Sequence, residues 1–224
     1  MERQTNTQSA PIRVGAQVVD PSVSLAKFEK ELSLFQSAEK HHRQRGVSLV
    51  WAEFPSMVLT FSAYRLRPLS IVFAVKLDFT NYDLDPISVK FIDPISEAEL
   101  RKQELYTHMH RKIPIPGANT DVTVAPTFTR QELIQSHEPD HIPFLCLPGV
   151  REYHAHSVHS NDPWLNRRGK GEGTLGFIID QLVTYGTEPI SGVTPKTVNI
   201  AMLPPGTMQV QYNGIIFMID KTPL

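Results

Sequence analysis

A single cysteine, Cys146, stands among the 224 residues, so no disulfide can close within the chain, and a reducing cytoplasm is the expected location. Long apolar stretches are also missing. No run approaches the roughly 20 residues that cross a bilayer, since even the stretch from Leu69 to Leu77 is short and holds Lys76. No charged-then-apolar leader opens the chain, so a soluble protein with no membrane partner is expected. Neither sign of charge is in excess: 22 Lys and Arg against 23 Asp and Glu leave a net charge of −1, which gives no electrostatic reason for a nucleic-acid partner. Glycine is scarce beside proline, 12 against 18, which argues against an all-helical bundle and for strands joined by rigid turns. The 41% of hydrophobic residues suffices for one core.

Residues 1–19 offer few large apolar groups and are expected to form a flexible tail, with residues 20–224 as a single domain. Asp20-Pro21 is a helix start, with the aspartate as cap and the proline in the first turn. Leu25, Phe28, Leu32 and Phe35 then recur at helical spacing, and the helix ends near the charged run 40–45. From Val47 the period changes. Residues 47–51, 57–63 and 70–79, rich in β-branched and aromatic residues and separated by Pro55 and Pro68, predict an antiparallel meander, and 87–92 is a fourth short run. Ser96, Glu97 and Glu99 suggest a short helix over 96–106, and 111–130, with Pro114, Pro116, Gly117 and Pro126, reads as an irregular excursion. Leu175, Ile178, Ile179, Leu182 and Val183 predict a second core helix. Residues 208–212 and 215–219 flank Asn213-Gly214, a hairpin signal.

The chemistry concentrates between these elements. Seven of the nine histidines lie from His108 to His159, and three stand in Glu152-Tyr153-His154-Ala155-His156-Ser157-Val158-His159, just after Cys146. Were 151–157 extended, Glu152, His154 and His156 would project from one face, because strand side chains alternate. Such a face admits several readings. Cys146, Glu152, His154, His156 and His159 are suitable zinc ligands, although their spacing is not that of a zinc finger. Cys146 is alternatively a nucleophile whose thiolate an imidazole favours, or, between Leu145 and Leu147, a small buried hydrophobe. A metal-free His/Glu acid–base pair is a further option, and His108 and His110 could extend a metal site. Trp164 after Asp162-Pro163 reads as a packing residue, and Arg167, Arg168 and Lys170 as a solvated basic loop.

The order helix, meander, the turn Tyr82-Asp83-Leu84-Asp85-Pro86 with the strand Val89-Lys90-Phe91, a histidine-bearing loop, Leu145-Cys146-Leu147, Trp164 and a helix resembles the ubiquitin-conjugating enzyme fold over about residues 20–186. The block Phe144-Leu145-Cys146-Leu147-Pro148-Gly149-Val150-Arg151-Glu152-Tyr153-His154-Ala155-His156, followed by His159-Ser160-Asn161-Asp162-Pro163-Trp164, is similar to a bacterial predicted metal-binding family with a Cys-Glu-His-His signature, associated with ubiquitin-like modification systems. The resemblance implies an α+β domain, an antiparallel meander sheet packed against helices, to which a C-terminal hairpin is added. It places Cys146 at the thioester-forming position, with Glu152, His154 and His156 or His159 in the signature. His137-Glu138-Pro139-Asp140-His141 stands where the family has His-Pro-Asn, so the amide that would donate to the oxyanion is absent, and an ionised Asp140 would oppose that charge. His141 or a backbone N–H would substitute. Of the proline-rich turn only Pro86 remains.

The function this implies is that of a conjugating-type transferase: Cys146, with His154, Glu152 and His141 around it, accepts the acyl end of a ubiquitin-like protein from an activating enzyme and passes it to a target protein's amine. The alternatives are a zinc-binding module of the same systems, with Cys146 as a ligand, and a noncatalytic interaction protein. Ligation and nucleophilicity compete for one sulfur.

Overall fold

The computed structural model describes residues 17–105, 107, 109–115, 128–195, 198–203, 207–212 and 215–219. Of the expected tail, residues 17–19 fall among these and are tied down. Asn81 Oδ1 accepts from the N–H groups of Val18 and Val19 at 2.7 and 3.1 Å, and Asn81 N–H donates to Gln17 Oε1. The folded part therefore begins before Asp20. Helix α1 (Pro21–Ser37) starts as expected, with the Asp20 carboxylate accepting from Ser22 N–H at 2.9 Å and Pro21 in the first turn. Phe28 and Phe35, two turns apart, bury their rings, and a short α2 (Glu39–Gln44) follows.

Strands β1 (Val47–Glu53), β2 (Ser56–Ala63), β3 (Ser70–Asp78) and β4 (Ser88–Ile92) pair in sequence order, every pair antiparallel, as the meander predicts. Alternation puts Met57, Leu59 and Phe61 of β2 with Val75 and Leu77 of β3 and Val89 and Phe91 of β4 in one buried core. Phe28 of α1 meets Phe79 edge-on at 5.0 Å between centroids. A smaller cluster of Val58, Ala74 and Ile92 lies under Trp51, whose ring carries Lys76 Nζ at 5.5 Å. The architecture is α+β, with few helices against an antiparallel sheet.

Three local expectations are corrected. Over 96–106 the described residues form no α-helix, because the Asp93 carboxylate takes the N–H groups of Ile95 and Ser96 at 3.0 and 2.7 Å, a local turn that competes with helix nucleation. The chain then folds back so that Leu100 N–H donates to Phe91 O, and only a 3-10 turn over Lys102–Glu104 forms. The 111–130 excursion is partly regular: β5 (His110–Pro114) pairs with β6 (Phe128–Glu132), while 116–127 lies outside the described residues. After them β7 (Ile134–Gln135) pairs with β8 (Phe144–Leu145), which delivers Cys146. Residues 151–157, which would align Glu152, His154 and His156 only if extended, instead begin with helix α3 (Arg151–Ala155). Helix α4 (Leu175–Leu182) follows, with Thr174 Oγ1 accepting from Phe177 N–H at 3.2 Å and Leu175, Ile178, Ile179 and Leu182 buried.

The C-terminal hairpin is also corrected. β9 (Ile190–Pro195) pairs with β12 (Ile215–Ile219), and β10 (Val198–Leu203) with β11 (Thr207–Tyr212). The runs 208–212 and 215–219 thus lie on one returning arm rather than facing each other, and Asn213-Gly214 lies outside the described residues. No helix among the described residues is long and apolar enough to cross a membrane.

The fully buried Phe79 sets a test of this core. Phe79→Ala is expected to lower the unfolding free energy by about 3–5 kcal/mol in chemical denaturation. Leu25→Ala, at a side chain 36% exposed on α1, is expected to cost less than about 1 kcal/mol.

Candidate functional site

Backbone pairing fixes Cys146. Its N–H donates to Leu133 O at 2.6 Å as the chain leaves β8, and Leu145 and Leu147 on either side are buried. Gly149 then turns the chain at φ +92°, with a position for Cβ only 2.5 Å from Gly173 N. Glycine alone fits both the conformation and the approach. Arg151 anchors the start of α3: its N–H donates to Ile87 O at 3.0 Å, and its guanidinium reaches Pro86 O, Asp78 and Thr80 O. The cysteine turn is thereby locked beside the start of β4.

Because 151–155 is helical, Glu152 and His154 point to opposite sides rather than sharing a face. The Glu152 carboxylate turns to β4, where it accepts from Ser88 Oγ and from Val89 N–H at 3.2 Å and faces Lys90 Nζ at 3.7 Å. It is spent on joining α3 to the sheet. His154 is spent as well, since Gly149 N–H donates to its Nε2 at 3.0 Å while its Nδ1–H reaches Asp162 O at 2.8 Å. These two bonds fix the neutral tautomer with the proton on Nδ1. They also staple the turn after Cys146 to the loop carrying His159.

His159 is the histidine that meets the sulfur, with Nε2 at 3.5 Å from Cys146 Sγ. Its ring stacks on Tyr153 at 3.8 Å between centroids, and the Tyr153 hydroxyl donates to Asp162 Oδ2 at 2.9 Å. Arg167 grips the same carboxylate with Nε at 2.8 and 2.9 Å from its two oxygens and reaches Glu172 at 2.6 Å through Nη1. His156 stands one ring further out, stacked on Phe144 and His137 at 5.1 and 5.6 Å and 5.9 Å from His159. Rings therefore run in contact from exposed His137 to the sulfur's partner.

Burial governs the electrostatics. Cys146 is 1% exposed, which pushes its thiol above the ordinary range, and the Arg111 guanidinium on β5 pulls partly the other way. Burial also holds His159 below the ordinary imidazole value, with His156 adding to that and Asp162 opposing it. At neutral pH the two groups face each other as thiol and imidazole rather than as an ion pair. Burial, then the Asp162 bond, pushes the Tyr153 phenol up to about 12, so it remains a proton donor. The Arg167 bond holds the Asp162 carboxyl below the usual range.

The site joins Cys146 to one expected residue, His159, and uses Glu152 and His154 for support. His141 is exposed; its backbone N–H donates to Glu138 O and its carbonyl accepts from Lys102 N–H. His110 lies on β5, and His108 falls outside the described residues. Tyr153 and Asp162 stand in the quoted block and Arg167 in the basic loop, but no spacing assigns them these contacts, and Arg111 carries no signal. Trp164 packs as expected, its indole N–H donating to Asp83 O at 3.2 Å, while Arg167 and Arg168 are held in ion pairs with Asp162 and Asp83. Among the described residues no three His, Cys, Asp or Glu side chains come close enough to hold a metal ion. In this arrangement Glu152 and His154 are engaged by Ser88 and Val89 and by Gly149 and Asp162.

The fold and site define an antiparallel α+β protein with a buried cysteine that meets a half-buried histidine beside its central sheet. A family model described as Y4jH-like, the Y4jH family, matches residues 19–190, and the chain belongs to that family. The uncharacterized protein y4jH of Sinorhizobium fredii (strain NBRC 101917 / NGR234) is 41% identical over 177 residues, which cover 77% of this chain and 86% of its own. That relative is bacterial, and the matched family segment contains every residue of the site.

The sign of the His159 shift sets a pH test. The folded protein resists protonating a group that the unfolded chain protonates near the ordinary value of 6.5. Its contribution is therefore present above that pH and lost as pH falls through the histidine range. His42, half-buried and likewise held low by burial, acts in the same direction. Urea midpoints measured from pH 7.5 down to about 5.5 are expected to fall, with a shallower slope in His159→Gln.

Proposed function

We propose that this protein is a cysteine acyl carrier of the ubiquitin-conjugating type, in which Cys146 takes the C-terminal acyl group of a ubiquitin-like protein and His159 moves the proton. The observation that carries this reading is the 3.5 Å contact between His159 Nε2 and Cys146 Sγ. The order of elements supports it: a helix, four antiparallel strands in sequence order, a cysteine after a short strand, 3-10 turns, and a core helix. That is the order of the ubiquitin-conjugating fold, to which this reading assigns the domain.

Thioester exchange requires a sulfur nucleophile and a proton acceptor held against it. The neutral pair supplies both. As the thiol attacks the carbonyl carbon of a modifier held as a thioester on an activating enzyme, His159 Nε2 takes the S–H proton. The bond to the enzyme's sulfur breaks, the acyl group rests on Cys146, and the proton passes to the departing thiolate. A target amine then attacks the new thioester, forming an amide and returning the Cys146 thiol. Because the sulfur is closed over in this state, loading requires its surroundings to open while His159 stays against it.

The test mixes the protein with a ubiquitin-like protein, its adenylating enzyme and ATP, and looks for an adduct. The expected result is a covalent species that thiols reverse, absent with Cys146→Ser and formed about 100-fold more slowly with His159→Gln, within the range of a lost acid–base group. Failure to form it with any modifier, together with stoichiometric zinc that Cys146→Ser releases, would overturn the reading in favour of a zinc module. Unaltered cellular function in Cys146→Ala would favour a noncatalytic interaction protein.

A further inference from the structure

Acyl transfer to a sulfur passes through a tetrahedral intermediate whose oxygen carries negative charge, and such a charge is stabilised by hydrogen-bond donors already in place. The backbone beside Cys146 has none to spare. The N–H groups of Cys146, Leu147 and Val150 donate to Leu133 O, Leu145 O and Leu147 O at 2.6, 2.8 and 3.1 Å, Gly149 N–H donates to His154 Nε2, and Pro148 carries no N–H. Side-chain donors of the site are committed as well: Tyr153 donates to Asp162, and Arg151 and Arg167 hold Asp78 and Asp162.

Arg111 differs from them. Leu133, which accepts the Cys146 N–H, donates its own N–H to Met109 O at 2.8 Å, so a single strand separates the sulfur's backbone from the start of β5. Two residues further on, Arg111 stands opposite Gln131 in the β5–β6 ladder, and its Nε donates to Gln131 Oε1 at 2.7 Å. Among the described residues no carboxylate pairs with it. The other half-buried arginines there, Arg45, Arg151 and Arg167, each hold one, at 2.8, 3.1 and 2.7 Å. A cation drawn out of water is costly unless something negative meets it, and Arg111 has a neutral amide alone. Its charge reaches the sulfur, since it offsets part of the rise that burial imposes on the Cys146 thiol.

We propose that the Arg111 guanidinium binds the oxyanion formed when Cys146 is acylated, an inference that rests on the acyl-carrier reading above. As the sulfur bonds to the carbonyl carbon, His159 Nε2 takes the thiol proton and the carbonyl π pair moves onto oxygen. An Nη–H of Arg111 donates to that oxygen. The pair then re-forms the carbonyl, the bond to the departing sulfur breaks, and the departing thiolate takes the proton from His159. The Gln131 bond holds the guanidinium in place beforehand, which is what preorganised stabilisation requires.

The test compares two reactions of Cys146 in the full chain, each followed by intact mass. Acylation by a small acyl thioester forms an oxyanion, and alkylation by iodoacetamide does not. Both need access to the same sulfur, so their ratio is insensitive to how far the site opens. Arg111→Gln is expected to lower the acylation-to-alkylation ratio by about 100-fold, the loss typical of one oxyanion donor. Arg111→Lys, which keeps the charge without the planar fork, is expected to lower it by about 10-fold. Lys112→Gln, the next residue along β5 and on its opposite face, is expected to leave it unchanged. Should Arg111→Gln alkylate as fast as the urea-unfolded chain, the fold is lost and Arg111→Lys carries the test. A ratio unchanged in both Arg111 variants, or lowered equally by Lys112→Gln, would overturn the role of Arg111 alone, provided the native chain is acylated and His159→Gln is slowed. A native chain that is alkylated but never acylated would overturn it together with the acyl-carrier reading.

Discussion

Two hydrogen bonds on one imidazole hold the site together. The turn after Cys146 and the loop carrying His159 are separate pieces of backbone, and without a link each would sample its own positions. His154 supplies the link by accepting from Gly149 and donating to Asp162. It can do so only as the neutral ring with its proton on Nδ1, because the protonated ring has no lone pair for the Gly149 N–H. The 3.5 Å approach of His159 to the sulfur depends on this closure.

Around that link the chain builds in layers. Arg151 and Glu152 fasten α3 to the sheet through Asp78, Thr80, Ser88 and Val89. Asp162 receives the Tyr153 hydroxyl and the Arg167 guanidinium, so the ring that stacks on His159 is itself held. Cation and carboxylate partners are half-buried, where such pairs act more by fixing geometry than by adding stability. The charged groups surround the least polar contact of the set, a thiol against an imidazole, and hold its neighbours in place.

Much of the fold is legible in the sequence because its signals are local. Asp20-Pro21, the two phenylalanines of α1 and the alternating runs of the meander each carry their own period. The cluster around Cys146 is legible as a concentration of residue types, but its geometry is not. Five helical residues, 151–155, turn Glu152 away from His154, and so short a helix has too few positions to reveal a period. The Asp93 turn displaces a helix that the acidic residues after it signal, a competition decided by one side chain's reach. Tyr153, Asp162 and Arg167 act through contacts within one irregular stretch, and Arg111 through space from β5, and no spacing rule encodes those. The register of β9 to β12 is hidden because an Asn-Gly pair offers a nearer turn than the one the backbone takes.

The proposed function rests on proton transfer between one sulfur and one histidine, which can be tested without any partner protein. The measurement is the rate at which a small acyl thioester acylates Cys146, followed by intact mass in the native chain, His159→Gln and Glu152→Gln. The expected rate is about 100-fold lower in His159→Gln and near-native in Glu152→Gln, whose carboxylate faces β4. Equal rates in the native chain and His159→Gln, or a loss confined to Glu152→Gln, would contradict that mechanism.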